Sequence, residues 1–224
     1  MKLPDGTMII LAGLLLSAGL AWGADTVKLP APERQGKVSL EEALQSRRTV
    51  RRFAARELTL AQVSQLLWAA DGVNDPRGLR TAPSAGATYP LELYLVAGER
   101  GVRDLAPGVY RYLPGGYALE LTRPGDLRRE VARACLHQTW MADAPVMVVF
   151  AAEYRRTTAR YGERGIRYTH MEVGHAAQNL FLQTGALGLG AGIVGAFEDQ
   201  TLGRLLHLPA SHEPLLVMPV GYKG

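Results

Sequence analysis

Cysteine is almost missing from this 224-residue chain, in which Cys135 stands alone. No intramolecular disulfide can form, and a metal centre built on thiolates is excluded. Aromatic residues make up only 7% of the chain, and dense basic clusters come down to one, Arg47-Arg48-Thr49-Val50-Arg51-Arg52. Nucleic-acid binding needs more basic clusters with aromatic rings between them, so no nucleic-acid partner is expected. Only one apolar run approaches membrane-spanning length, Met8 to Trp22, which excludes a polytopic membrane protein. Gly-x-Ser-x-Gly does not occur, so a hydrolase nucleophile elbow is excluded as well.

What remains is an ordinary globular composition, 47% hydrophobic and 21% charged with a net charge of +4, which rules out disorder, collagen and coiled coil. The apolar run follows Lys2 and ends at Ala21-Trp22-Gly23, a small-x-small pattern. Residues 1–23 therefore read as a signal peptide, with Ala24 as the new N-terminus and a periplasmic or secreted destination, or as a membrane anchor if uncleaved. About 200 residues follow, a size at which one domain buries a substantial core. Residues 24–38, polar with two prolines and no period, read as a linker, and 39–224 as the folded domain.

Ser39-Leu40-Glu41-Glu42 and Thr59-Leu60-Ala61-Gln62 are capping boxes that start two helices, the second carrying Leu60, Val63, Leu66, Leu67 and Ala70 on one face up to Asp71-Gly72. A long loop rich in Gly, Pro, Asn and Ser spans 73–90, and loops of that length are commonly functional. Leu91 to Val96 alternates as a strand, and Pro114-Gly115-Gly116 joins Gly108–Tyr112 to Tyr117–Leu121 as a hairpin. A helix is expected from Asp126 to about His137, a buried strand over 144–152, and the longest helix from Arg167 to about Gly188. Met171, Gly174, Ala177, Leu180, Phe181 and Leu187 give that helix an apolar face suited to the domain centre or a dimer interface. A short strand at 191–194, a helix over 199–206 and a strand over 215–220 complete an α+β order without βαβ alternation.

Gly190-Ala191-Gly192-Ile193-Val194-Gly195 spells G-x-G-x-x-G, but a helix precedes it and a strand runs through it, the reverse of a dinucleotide fingerprint. Its use is instead to expose backbone N–H groups to a flat ligand. His170-x-Glu172-x-x-His175 lacks the second Glu-x-x-His copy that a di-iron bundle needs, so no metal is expected. The Arg47–Arg52 cluster, anchored by Phe53, presents several guanidinium forks and a hydroxyl, chemistry suited to a phosphate monoester dianion.

Four segments in order resemble the nitroreductase-like FMN-dependent oxidoreductases, most of all their azoline-dehydrogenase (SagB-type) branch. They are Ser46-Arg47-Arg48-Thr49-Val50-Arg51-Arg52-Phe53; the loop Thr81-Ala82-Pro83-Ser84-Ala85-Gly86-Ala87-Thr88-Tyr89-Pro90; Arg164-Gly165-Ile166-Arg167-Tyr168 with Glu172-x-Gly174-His175-x-x-Gln178-Asn179-Leu180; and Leu187-Gly188-Leu189-Gly190 with Ile193-Val194-Gly195-Ala196-Phe197-Glu198-Asp199 ahead of Pro219-Val220-Gly221. The resemblance implies a central, mostly antiparallel sheet wrapped by helices in a homodimer, with FMN at the subunit interface. It assigns Arg47, Arg48, Thr49 and Arg51 to the FMN phosphate, Pro83, Ser84, Ala85 and Gly86 to the isoalloxazine edge, and the N–H groups of Gly195 and Ala196 to the side of the flavin N5.

For proton transfer the candidates are Tyr89 and Tyr168, then Glu172; a phenol is chiefly a proton donor at neutral pH. The implied reaction is hydride transfer through the flavin between an electron donor (NAD(P)H, a quinone or a protein) and a small-molecule or peptide substrate. The alternative is an exported flavin-binding or partner protein that keeps the fold without redox turnover. The azoline chemistry best known for the branch takes place on cytosolic peptides, so an exported chain leaves the substrate open.

Overall fold

The computed structural model describes residues 26–224. The expected leader over 1–23 and the first two residues of the expected linker lie outside them. Seven strands, β1 (Thr26–Lys28), β2 (Leu91–Ala97), β3 (Gly108–Leu113), β4 (Ala118–Pro124), β5 (Val146–Ala152), β6 (Leu189–Ala191) and β7 (Glu213–Tyr222), form one sheet. Its order is β1-β4-β3-β2-β5-β7-β6, and each neighbouring pair is antiparallel. Six α-helices accompany it among the described residues: α1 (Leu40–Ser46), α2 (Leu60–Asp71), α3 (Arg128–Ala134), α4 (Arg155–Tyr161), α5 (Arg164–Ala186) and α6 (Asp199–Leu205). This is the α+β, helix-wrapped antiparallel sheet that the sequence led us to expect.

Period-2 side-chain geometry decides which face each strand residue serves. Leu91, Leu93 and Leu95 of β2 join Val148 and Phe150 of β5 beneath α2 and α5, together with Leu66, Leu67, Ala177 and Leu180. Tyr94 and Val96 point the other way, with Met147, Val149 and Val217, onto α3 and α6 through Val131 and Leu202. Because both faces carry helices, β2 is buried along its whole length despite its polar alternation. Its polar residues therefore had to find partners inside. Glu92 accepts from Arg111 at 2.9 Å and from Arg156 at 2.5 Å, and the Tyr94 hydroxyl lies 2.8 Å from His212 Nδ1.

Local signals placed most elements. Thr59 and Gln62 complete a reciprocal capping box on α2, whereas at α1 Ser39 accepts from the Glu42 N–H at 3.1 Å. Five elements differ from expectation. The stretch read as a linker contributes β1, an edge strand on β4, and then docks Leu29 in the core and Glu33 on Gln65 at 2.8 Å. The third helix is shorter than expected, because Leu136 and His137 take left-handed conformations after Ala134. Helix α4 was not foreseen, and α5 starts three residues early, at Arg164. The strand expected over 191–194 is set at 189–191 by pairing with Tyr222, Gly221 and Val220.

The apolar stripe expected along α5 is divided. Ala176, Ala177, Leu180 and Phe181 are buried within the chain, while Met171 is 53% exposed and Gly174 lies on the outside. A solvent-facing strip of Arg167, Met171, Gly174 and His175 runs along the helix.

Candidate functional site

Beyond α1 the chain turns at Arg47 and runs alongside the segment that follows α5. Thr49 bridges Ala191 in parallel, and the Val50 N–H donates to the Ala191 carbonyl at 2.8 Å. The glycines of the G-x-G-x-x-G string permit this approach. A Cβ on Gly190 would fall 2.7 Å from Val50 Cγ2, and one on Gly192 would fall 2.5 Å from Trp140 Cη2. Two of its glycines thus serve chain packing, while Gly195 lies exposed with no neighbour within 4 Å of its Cβ position.

The arginines surround this strip. Arg47 lies over the Phe181 ring at 5.3 Å and Arg51 over the Trp140 ring at 5.7 Å, and Trp140 stacks on Phe53 at 6.4 Å. Arg48 turns back to donate to the carbonyls of Gln45 (3.0 Å) and Arg47 (2.8 Å), the electronegative end of α1. Thr49 is exposed. Among the described residues no carboxylate pairs with Arg47, Arg48, Arg51 or Arg52. Four neighbouring cations without an acid raise the local positive potential and favour an anionic ligand.

The second group of candidates gathers at the 81–90 loop. Its Ala85–Ala87 turn and the residues after it hold positive φ at Gly86 (60°), Ala87 (53°) and Tyr89 (45°). For the non-glycine residues this is strained backbone that needs outside support. Ser84 Oγ accepts from the Tyr89 N–H at 2.9 Å, Thr88 Oγ1 meets Thr157 Oγ1 at 2.8 Å, and Arg156 donates to the Tyr89 carbonyl at 3.0 Å. Arg80 stacks on the Tyr89 ring at 4.8 Å while its N–H donates to the Tyr89 hydroxyl at 3.3 Å. Tyr161 lies against Gly86 and meets Tyr168 edge-on at 5.3 Å. Pro83 is exposed at the rim, and Ser84 and Ala85 are half-buried.

Glu172 lies inside, only 2% exposed. Neither of its oxygens completes a hydrogen bond, although the Ser84 hydroxyl is near enough to act on it. Burial pushes its pKa up to about 7 against the opposing pull of Ser84 and Arg80. His170 and His175 are both exposed, so the three polar residues of His-x-Glu-x-x-His point apart. His170 Nε2 is instead engaged by the Tyr154 hydroxyl at 2.7 Å. Among the described residues no three His, Cys, Asp or Glu side chains converge as a metal site.

Tyr89, Tyr168 and Glu172 thus share one neighbourhood, while Arg47 and Arg51 flank Phe181 and Trp140 beside Ala191 and Gly192, in the segment that continues to the exposed Gly195 and Ala196. Helix α5 separates them. Phe181, under Arg47, and Glu172, near Ser84, are nine residues apart, which is about 14 Å along the axis and about half a turn around it. The exposed strip of α5 lies between the two flanks. Sequence reading missed Asp71, Arg80 and Trp140. Asp71 had a visible signal, an acid at the C-terminal end of a helix where the macrodipole disfavours it. Arg80 and Trp140 had none, because their roles come from contacts with distant segments.

Known proteins resemble this chain in sequence and in fold. A nitroreductase of Methanocaldococcus jannaschii, provisionally named MJ1384, is 45% identical over 89% of this chain and 98% of its own length. The microcin B17-processing protein McbC of Escherichia coli is 26% identical over 74% of this chain, which spans 62% of that relative. Among solved structures, a provisionally named nitroreductase from Ralstonia eutropha JMP134 superposes with a TM-score of 0.77 at 30% identity, covering 89% of this chain and 90% of the other. The NADPH:FMN oxidoreductase of Vibrio harveyi, solved with NAD+, shares the fold with a TM-score of 0.60 at 19% identity over 82% and 68% of the two chains. The nitroreductase family model matches residues 44–222, which take in both flanks of α5 and every strand but β1, and the chain belongs to that family.

Proposed function

We propose that this chain is an FMN-dependent oxidoreductase of the azoline-dehydrogenase-type branch, acting as a homodimer. The observation that carries the reading is the acid-free arginine cluster, whose Thr49 and Val50 run alongside Ala191 at the start of the segment that ends in the exposed Gly195 and Ala196. Those residues fit FMN in their donor chemistry: Arg47, Arg51 and Thr49 would hold the phosphate, with Arg48 adding charge from the end of α1. The N–H groups of Gly195 and Ala196 would face the side of the ring that bears N5, and Pro83 to Gly86 would line its edge. Bound FMN would supply hydride exchange at N5 with a donor and a substrate.

The two flanks of α5 support the dimer. Within one chain the phosphate-type cluster and the Pro83–Gly86 loop lie on opposite sides of the helix. Pairing two copies along the exposed strip of Arg167, Met171, Gly174 and His175 would bring one copy's arginines toward the other's loop. Tyr89 and Tyr168, at that loop, would present phenol protons to the substrate, and Glu172 would act behind them. The electron donor is NAD(P)H, a quinone or a protein, and the substrate is a small molecule or a peptide. Residues 1–23 direct export and are removed at Ala24. A mass beginning at Met1 in the exported fraction would favour an anchor instead.

Flavin titration of the chain, with thermal shift and sedimentation, tests the reading. FMN should bind, raise the unfolding temperature and accompany a dimer. Arg47→Ala should weaken FMN by about 1.5–3 kcal/mol, roughly 10- to 150-fold, as expected when a charged hydrogen bond is lost. An unchanged titration would remove Arg47 from the phosphate site, and a chain that never takes up FMN would end the proposal. Flavin uptake without reduction by any donor would identify the fold without turnover.

A further inference from the structure

Beneath the Ser84–Tyr89 loop two buried acids face one cation. Asp71, at the end of α2, and Glu172, in the middle of α5, are 1% and 2% exposed and close enough for their charges to act on each other. Arg80 pairs with one oxygen of Asp71, and its charge also reaches Glu172. Among the described residues the other Asp71 oxygen and both Glu172 oxygens have no hydrogen-bond partner. The remaining charged groups of the neighbourhood are already committed. Glu92 of β2 is held by Arg111 of β3 and Arg156 of α4, and Arg156 also pairs with Glu153 at 2.8 Å. Tyr112 of β3 is buried with an unpartnered hydroxyl, its pKa raised by burial and further by Tyr117 and Asp71, with Arg80 opposing.

Two ionised carboxylates against one guanidinium would leave a net negative charge in the interior, which costs several kcal/mol. The economical state has one proton between them. We propose that Asp71 and Glu172 form an internal proton-binding site that holds a single proton against Arg80. A cavity of about 120 Å³ lined by Asp71, Arg80, Glu92, Arg111 and Tyr112 adjoins it. That space exceeds the ~10–15 Å³ that one water molecule needs, and its polar lining gives the proton a polar route. The loop rests on both ends of the site, through Ser84 beside Glu172 and through Tyr89 on Arg80. Its proton occupancy therefore acts on the strained backbone of residues 86–89. Burial, the largest cause, raises both carboxyls and so opposes a second charge, while Arg80 lowers both and so favours one. This site stands independently of the flavin reading and would exist in a chain that bound no flavin.

The test is carboxyl infrared difference spectroscopy on the full chain without added flavin, titrated from about pH 5 to pH 9. The wild type should lose one protonated carboxyl near neutrality. Asp71→Asn and Glu172→Gln should each move that step to lower pH, because Glu172 then has Arg80 to itself, and Asp71 keeps Arg80 while losing the repulsion of Glu172. Two carboxyls titrating, or none, would overturn the proposal. So would single variants that each leave the other acid's step in place, since that is the behaviour of independent buried acids. The wild-type count decides the matter even where a variant fails to fold.

Discussion

The two sides of α5 handle charge in opposite ways. On one side Arg47, Arg51 and their neighbours are solvated, stacked on rings and free of acids. On the other, Asp71, Glu92 and Glu172 are buried, and Arg80, Arg111 and Arg156 are drawn in against them. Exposed like charges cost little in water and are stabilised further by an anion from outside. Buried charges have to be matched within the fold or lose their charge to a proton. The first side is built to meet a ligand, and the second to hold a loop.

Substitutions should separate the sides most sharply in stability. Arg80→Ala strips a buried carboxylate of the one ion-pair partner it has among the described residues and should cost about 3–5 kcal/mol, read as a lower urea midpoint. Arg51→Ala, on the solvated side, should stay within about 0.5 kcal/mol by the same measurement. Comparable losses would erase the contrast. Glycines give the next largest effect. Gly192→Ala places a methyl against Trp140 and the Val50 carbonyl and should cost about 1–3 kcal/mol, while Gly195→Ala, in open space, should leave unfolding nearly unchanged.

The pH dependence is a subtler reading. Asp71 rises from 3.8 to about 7 and Glu172 from 4.5 to about 7, with burial the main cause in both. The folded state therefore binds protons more tightly than the unfolded state. The stability linked to these groups is fully present below their unfolded values and is lost as pH rises toward and through about 7. Asp126, lowered to about 2 by its bonds to Arg128 and to the Glu99 N–H against the effect of burial, gives the opposite sign at acid pH: its contribution is present above 3.8 and lost as pH falls through about 2. Urea midpoints measured from about pH 5 to pH 8 should fall, and should fall less in Asp71→Asn. A flat profile in the wild type would dispose of the buried-acid assignment.

Much of the arginine side was legible from residues alone. A basic run beside an apolar anchor and a bare glycine string state their chemistry in a few adjacent letters. The acid side was legible only in fragments. The polar residues of β2 were visible as an alternation, but an alternating strand ordinarily keeps one face in water. Nothing local says that α3 and α6 cover that face. Thr26-Val27-Lys28-Leu29 alternates over too few residues to announce a strand, and Thr26–Lys28 becomes one because β4 offers an open edge about ninety residues away.

By itself, the sequence determined the caps on α1 and α2, the hairpin at Pro114–Gly116, the α+β order and the cation-rich turn after α1. Each depends on propensities and hydrogen bonds within a few residues. Tertiary structure alone decided the split of α5 into a buried face and an exposed strip, the separation of the two flanks, and the meeting of Asp71, Arg80 and Glu172. Burial and electrostatic pairing are set by neighbours distant in the chain, and a residue's desolvation exists only once those neighbours are in place.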